Sequence, residues 1–277
     1  MLIKILRYLR HGPFRFAARF WVFGGKFYRK TIAKYARPVS QQIGDYGPFK
    51  FNAHFSFSNF RNWGQMHNDC FDSCIKACKG KKVVFDIGAH IGLVTMPMAT
   101  VLSSGGKVHA FEPALANRKF LQQHIRINDL EEKVVVEPFL VGDLEIEDQK
   151  FYETGADSGM NSITPIVKGE EIKATSKKQV TIDGYCFENQ TFPEIIKIDV
   201  EGAEIAVLEG AFEVLKTYKP TIFLSVHPKH IELLGRNIDD LKNILQRLNY
   251  SCLQSDGSLA KNFSLKEYIL IPERTLS

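Results

Sequence analysis

The sequence predicts an α/β protein in which a mainly parallel sheet is covered by helices on both faces and finished by an antiparallel edge strand. Three observations carry this. Short apolar runs recur at 83–87 (VVFDI), 107–111, 133–137, 195–199 and 221–226, and runs that short and apolar suit strands buried on both faces. Stretches of helical length and spacing separate them, at 92–103, 114–128, 203–216 and 238–247, the alternation that builds parallel crossovers. Two last strand candidates, near 250–254 and 266–271, follow one another without a helix between them, so they are expected to pair at an antiparallel edge.

With 277 residues, 44% hydrophobic and 24% charged, the chain can bury a full core, and one large domain with an appendage is expected. The expected organisation is an arm at 1–37, an irregular connecting segment at 38–65 and the main domain at 66–277. The arm holds ten Lys or Arg and no acid before Asp45, which leaves 26 basic against 31 acidic residues for the rest. The body is therefore mildly acidic and unsuited to nucleic acid.

The arm interleaves basic and bulky apolar residues. Arg7, Arg10, Arg15 and Arg19 interrupt its apolar runs, so it fits neither a signal peptide nor a membrane span. Two short amphipathic helices split at Gly12–Pro13 fit better, with an anionic membrane surface as expected partner. Packing of the aromatic face on the body is the compatible alternative. Between 38 and 64, glycines and the aromatic-rich FKFNAHFSFSNF suggest a short strand or a cover over a pocket.

A helix is expected after Asp69, ending at Gly80. It carries Cys70, Cys74 and Cys78 four residues apart, a spacing that suits small side chains packed against a sheet better than a zinc site. Five cysteines make no disulfide framework, so a reducing cytoplasm is expected, with attachment to the inner membrane face through the arm.

In the first strand and turn, VVFDIGAHIGL, Asp86 ends the strand, Gly88 turns the chain and Gly92 opens the helix. The glycines are spaced G-x-x-x-G, whereas a dinucleotide loop needs G-x-G-x-x-G to seat a pyrophosphate. Asp86 suits an ammonium group instead. The second strand ends in HAFEP, where Glu112, 24 residues after Gly88, can accept both hydroxyls of a ribose. An amino-acid moiety at Asp86 and a ribose at Glu112 together describe S-adenosyl-L-methionine (SAM).

Polar residues 144–180 read as an insertion, within which YETGADSGMNSIT could reach over the cleft through Ser158 or Asn161. The fourth strand then runs into IIKIDVEGAEIAVLEGA, 195–211, gathering Asp199, Glu201 and Glu204 at its carboxyl end. The stretches VFDIGAHIG, HAFEPALAN, FLVGD and above all KIDVEGAEIAVLEGA resemble the FkbM-type SAM-dependent methyltransferases, over roughly residues 66–255. The resemblance implies a Rossmann-like class I methyltransferase fold. It also implies cofactor contacts at Asp86, Gly88, Gly92 and Glu112, with Asn117 on the second helix; Gly142 in FLVGD is a further expected contact, and His90 either touches the cofactor or fills the turn. Methyl transfer to a hydroxyl oxygen of a small molecule, sugar or lipid-linked glycan is the implied chemistry.

An alcohol is a poor nucleophile and needs a base within about 3 Å. Asp199, Glu201 and His227, which follows the strand TIFLSV, are the catalytic candidates. At an unperturbed pKa His227 could accept a proton at neutral pH. The acids show no decisive ligand spacing, so no metal is expected, and an ion held by Asp199 and neighbouring acids is the alternative. A catalytically silent SAM-binding or scaffold protein is the competing class.

Overall fold

The computed structural model describes residues 24, 25, 28, 29, 31–153, 161–163 and 172–273. Residues 1–23 of the expected arm and Ser158 lie outside them.

Residues 38–65 are more regular than expected, because β1 (Val39–Ile43) and β2 (Tyr46–Phe51) form an antiparallel hairpin. Alternation along it buries Ile43, Phe49 and Phe51 on one face. Next come α1 (Phe71–Ala77), β3 (Val83–Ile87), α2 (Thr95–Val101), β4 (Lys107–Phe111), α3 (Leu115–Ile127) and β5 (Val134–Glu137). The 144–180 stretch supplies β7 (Ile146–Glu153) and β8 (Lys173–Val180), an antiparallel pair that β6 (Leu140–Val141) extends into a small separate sheet.

After α4 (Ile182–Asn189), β9 (Ile195–Ile198) returns to the main sheet. The expected helix 203–216 is two pieces, α5 (Glu204–Glu209) and α6 (Phe212–Tyr218). Gly210 separates them against the loop after β6, where a Cβ would lie 2.0 Å from the Gly142 carbonyl oxygen. The Asp183 carboxylate accepts from the Glu213 and Val214 amides at 3.0 and 2.8 Å, satisfying the new helix start. The chain ends with β10 (Thr221–Val226), α7 (Pro228–Leu233), α8 (Ile238–Leu248), β11 (Tyr250–Leu253) and β12 (Lys266–Pro272).

The main sheet has the order β11-β12-β10-β9-β3-β4-β5. Neighbours from β10 to β5 run parallel, while β12 lies antiparallel between β10 and β11. This is the mainly parallel architecture expected from the sequence, with its reversed strand near one edge. Successive side chains of β3 point to opposite faces. Val84 joins a core with the hairpin, α1, α2 and α3, while Phe85 and Ile87 join a second core with α4, α5, α6 and α8. Burying each such side chain stabilises the fold by roughly 1.5–3 kcal/mol.

The chain builds outward from β3 through β4 to β5, then crosses back to β9 on the other side of β3. The carboxyl ends of β3 and β9 thus flank the reversal, where open α/β sheets leave a crevice. None of the described helices is long and apolar enough to cross a membrane.

Candidate active site

A cleft opens over these strand ends. Gly88, His90, Glu112 and Gly142 lie in its wall, together with Asn117. Asp86 and Gly92, expected beside them, line no part of it. Asp86 is 2% exposed and accepts a 2.5 Å hydrogen bond from Thr95 Oγ1, and burial raises its pKa to about 6 despite that bond. Gly92 packs on α3, where a Cβ would lie 2.8 Å from Leu121 Cδ1. Both residues brace the turn from behind.

Gly88 has φ +88°, and a Cβ there would lie 1.9 Å from the Asp199 carbonyl oxygen. The close approach this glycine permits is therefore between two strand ends of the protein. His90 also has positive φ, +51°, which aims its backbone N–H at Glu112 Oε2, 2.7 Å away. Glu112 Oε1 accepts from the Ala114 amide at 2.9 Å and from Asn117 Nδ2 at 3.3 Å. Burial nonetheless dominates and lifts the Glu112 carboxyl to about 7.

With two donors on Oε1 and one on Oε2, the carboxylate keeps accepting capacity. Asn117 Oδ1 is buried without a hydrogen-bond partner. An acceptor pair of this kind at the cleft wall fits a ligand that brings hydroxyl donors, as the ribose of SAM does. Asp143, at the exposed rim beside Gly142, also lines the cleft.

At the other end, β9 delivers Asp199 and the turn after it delivers Glu201, whose φ is +52°. Both face the cleft. His227, at the N-cap of α7, stands behind them with Nε2 3.7 Å from Asp199 Oδ1 and 3.7 Å from Glu201 Oε2. Its Nδ1 lies 2.6 Å from Glu204 Oε1. His230 Nδ1 approaches Glu201 Oε2 at 2.9 Å, its ring stacked parallel to that of His227.

Burial opposes charge on His227, but the hydrogen bond to Glu204 and the nearby Asp199 and Glu201 charges outweigh it and raise the imidazole to about 9. This corrects the expectation of an unperturbed proton acceptor. Burial likewise pushes Glu201 up to about 7, against the pull of His227. Burial would raise Asp199 too, yet the Lys197 ammonium holds it below the ordinary carboxylate range.

Lys197 is 2% exposed. Its Nζ donates to Ser225 Oγ at 2.7 Å and pairs with Glu267 Oε1 at 3.1 Å and Asp199 Oδ2 at 3.5 Å. Sequence reasoning missed Glu267 and the role of Glu204. The signal available was Lys197 itself, since a lysine inside IIKID must find buried partners. The insertion does reach the cleft: Asn161 and Ser162 line it, and Ser162 Oγ lies 3.5 Å from the Glu201 carbonyl oxygen.

No curated protein matches the chain. Among solved structures, it is similar to a methyltransferase FkbM from Methylobacillus flagellatus, at 21% identity and a TM-score of 0.45, covering 70% of this chain and 44% of that one. The chain thus spans less than half of that protein. It is also similar to a SAM-dependent O-methyltransferase from Thermotoga maritima, at 10% identity and a TM-score of 0.45 with 87% of each chain covered. A third is the O-methyltransferase from Bacillus cereus in complex with SAH, at 15% identity and a TM-score of 0.42, covering 74% of this chain and 79% of that one. The model of the methyltransferase FkbM domain matches residues 86–252, from the acid ending β3 to the last edge strand, more than half of the sequence. The chain belongs to the FkbM methyltransferase family.

Proposed function

We propose that the chain transfers a methyl group from SAM to a hydroxyl oxygen of a small molecule, sugar or lipid-linked glycan. The observation that carries this reading is one cleft with two chemically distinct ends, Glu112 and Asn117 at one and Asp199 and Glu201 at the other. When bound, SAM supplies an electrophilic methyl on a sulfonium, which the acceptor oxygen takes as the carbon–sulfur bond breaks.

The protein's part is alignment and proton removal. Glu112 and Asn117 Oδ1 accept from the ribose hydroxyls, and the backbone around Gly88 and His90 holds the turn against them. The carboxylates of Asp199 and Glu201 face the acceptor and take its proton. Asp86 acts by fixing the turn through Thr95. Family membership is consistent with this acceptor class, and the mildly acidic body fits a neutral or lipid-linked sugar better than a polyanion.

Calorimetry with SAM and with NADH tests the cofactor. SAM is expected to bind and NADH to give no heat, with SAM affinity lost in Glu112→Ala. Equal SAM binding by that variant and the parent would overturn the role given to Glu112. Incubation of extracts with methyl-labelled SAM then identifies which hydroxylated molecule gains label.

A further inference from the structure

We propose that Asp199, Glu201 and His227 form a binding site for one first-row divalent cation, of the Mn²⁺ or Zn²⁺ type, at the acceptor end of the cleft. This rests on the methyl-transfer reading, in which the acceptor oxygen lies against Asp199 and Glu201.

His227 Nε2 lies 3.7 Å from Asp199 Oδ1 and 3.7 Å from Glu201 Oε2, too far for hydrogen bonds. Two atoms bound to one ion at about 2.1 Å each, across a tetrahedral or trigonal angle, stand roughly 3.5 Å apart. The three residues can each offer one ligand atom within 4.8 Å of the others, so an ion among them needs only small side-chain movements.

The outer contacts fit the same reading. A metal-binding histidine characteristically donates its second N–H to a carboxylate, which aims the free nitrogen at the ion. Glu204, 0% exposed, accepts from His227 Nδ1 at 2.6 Å, and the Gly202 amide donates to the same oxygen at 3.1 Å. Lys197 holds Asp199 through Oδ2, leaving Oδ1 toward His227. His230 Nδ1 lies 2.9 Å from Glu201 Oε2 without a hydrogen bond between them. His227 and Asp199 thus each have an outer partner, Glu204 and Lys197.

A second observation is independent of spacing. Glu204 Oε2 is buried with no hydrogen-bond partner. The other oxygen carries the pairing with His227, and the unsatisfied one keeps a negative potential beside the cluster that favours a cation there. One nitrogen with two oxygens favours Mn²⁺ or Zn²⁺ over Mg²⁺ or Ca²⁺, which prefer oxygen alone. Three protein ligands also leave coordination positions on the cleft side, where Asp199 and Glu201 are open to the acceptor. An ion there would hold the acceptor hydroxyl by its oxygen, and the transfer and the fate of its proton are otherwise as described above.

The test is Mn²⁺ binding to the full chain, followed by the loss of the free-ion electron paramagnetic resonance signal and by calorimetry. One equivalent is expected to bind, at least tenfold more weakly in His227→Ala. Glu204→Gln is expected to weaken binding by 10–100-fold, although its side chain never touches the ion. Co²⁺ substitution adds a visible d–d band that should disappear in His227→Ala. Thermal melting with and without Mn²⁺ identifies a variant that has failed to fold, in which case Asp199→Asn serves instead. Parent protein that binds no Mn²⁺, or binds it equally after loss of His227, overturns the site. SAM calorimetry on the same samples separates the two readings. SAM binding without Mn²⁺ binding removes the metal and leaves methyl transfer standing, whereas Mn²⁺ without SAM removes the cofactor assignment.

Discussion

Folding takes Glu112 out of water and surrounds it with three protein donors, and burial still wins, lifting its carboxyl to about 7. Because this lies above the unfolded value near 4.5, the native state binds more protons between the two. The stability from this group is therefore fully present below about pH 4.5 and lost as pH rises through about 7. The shift corresponds to about 3 kcal/mol. Asp86, raised to about 6, adds a loss of the same sign at slightly lower pH. Denaturant titrations from pH 4 to 8 should show this decline, and Glu112→Gln should flatten its upper part. Ribose hydroxyls donate to the ionised carboxylate, so SAM affinity should rise over the same interval. Lys197 makes the opposite case, a charge that burial cannot neutralise because Asp199 and Glu267 hold it. Lys197→Met leaves both acids without it and should cost about 3–5 kcal/mol. Adding Glu267→Gln should recover part of that loss, and a denaturation cycle over the two single variants and the double variant measures how much.

Between elements, the tightest constraint is the meeting of the turn after β3 with the end of β9. An Ala at position 88 must hold φ +88° and displace the Asp199 carbonyl. Gly88→Ala should therefore cost well over the ~1–2 kcal/mol of left-handed strain alone. Gly105→Ala is the control, since φ there is +73° with nothing within 4 Å, and only the strain should be measured. The same contrast shows what the sequence could and could not reveal. All five parallel strands were legible to within a residue at each end, because fully buried strands are short, apolar and bounded by turns. Helix 203–216 read as continuous because its apolar period persists across Gly210, and only the Gly142 backbone, distant in sequence, breaks it. The β1–β2 hairpin was missed although Gly44-Asp45 sits between alternating apolar residues. Its buried face is decided by α1, which local pattern cannot show. At the site, Glu112, Asp199 and Glu201 could be placed because strand ends locate them. Glu267 and the pairing of Glu204 with His227 could not, since the partners come from β9, β10 and the start of α7.

For the whole molecule, charge separation is the feature with a consequence outside the cleft. Residues 1–37 carry ten of the 36 basic residues and none of the acids. The described end of the arm is docked, with Tyr28 buried against Phe57 and its hydroxyl 3.0 Å from Ser56 Oγ. Tyr35, 91% exposed, and Ile32, 51% exposed, remain toward solvent nearby. Docking at Tyr28 and a membrane contact farther toward the N-terminus are thus compatible. A lipid-linked acceptor would gain from both, because an attached enzyme meets its substrate in two dimensions. Each Lys or Arg near an anionic surface contributes about 1 kcal/mol, so Lys4, Arg7, Arg10, Arg15 and Arg19 together could contribute up to about 5 kcal/mol. The full chain should sediment with phosphatidylserine-containing vesicles at low salt, less at high salt, and not with neutral vesicles. Deleting residues 1–23 should abolish sedimentation while preserving the Tyr28 contact, and SAM binding by the shortened chain should be unchanged. Sedimentation that survives the deletion would move the membrane contact off the arm and onto the body. Its absence from the full chain would leave the basic residues a solvated face of a packed appendage.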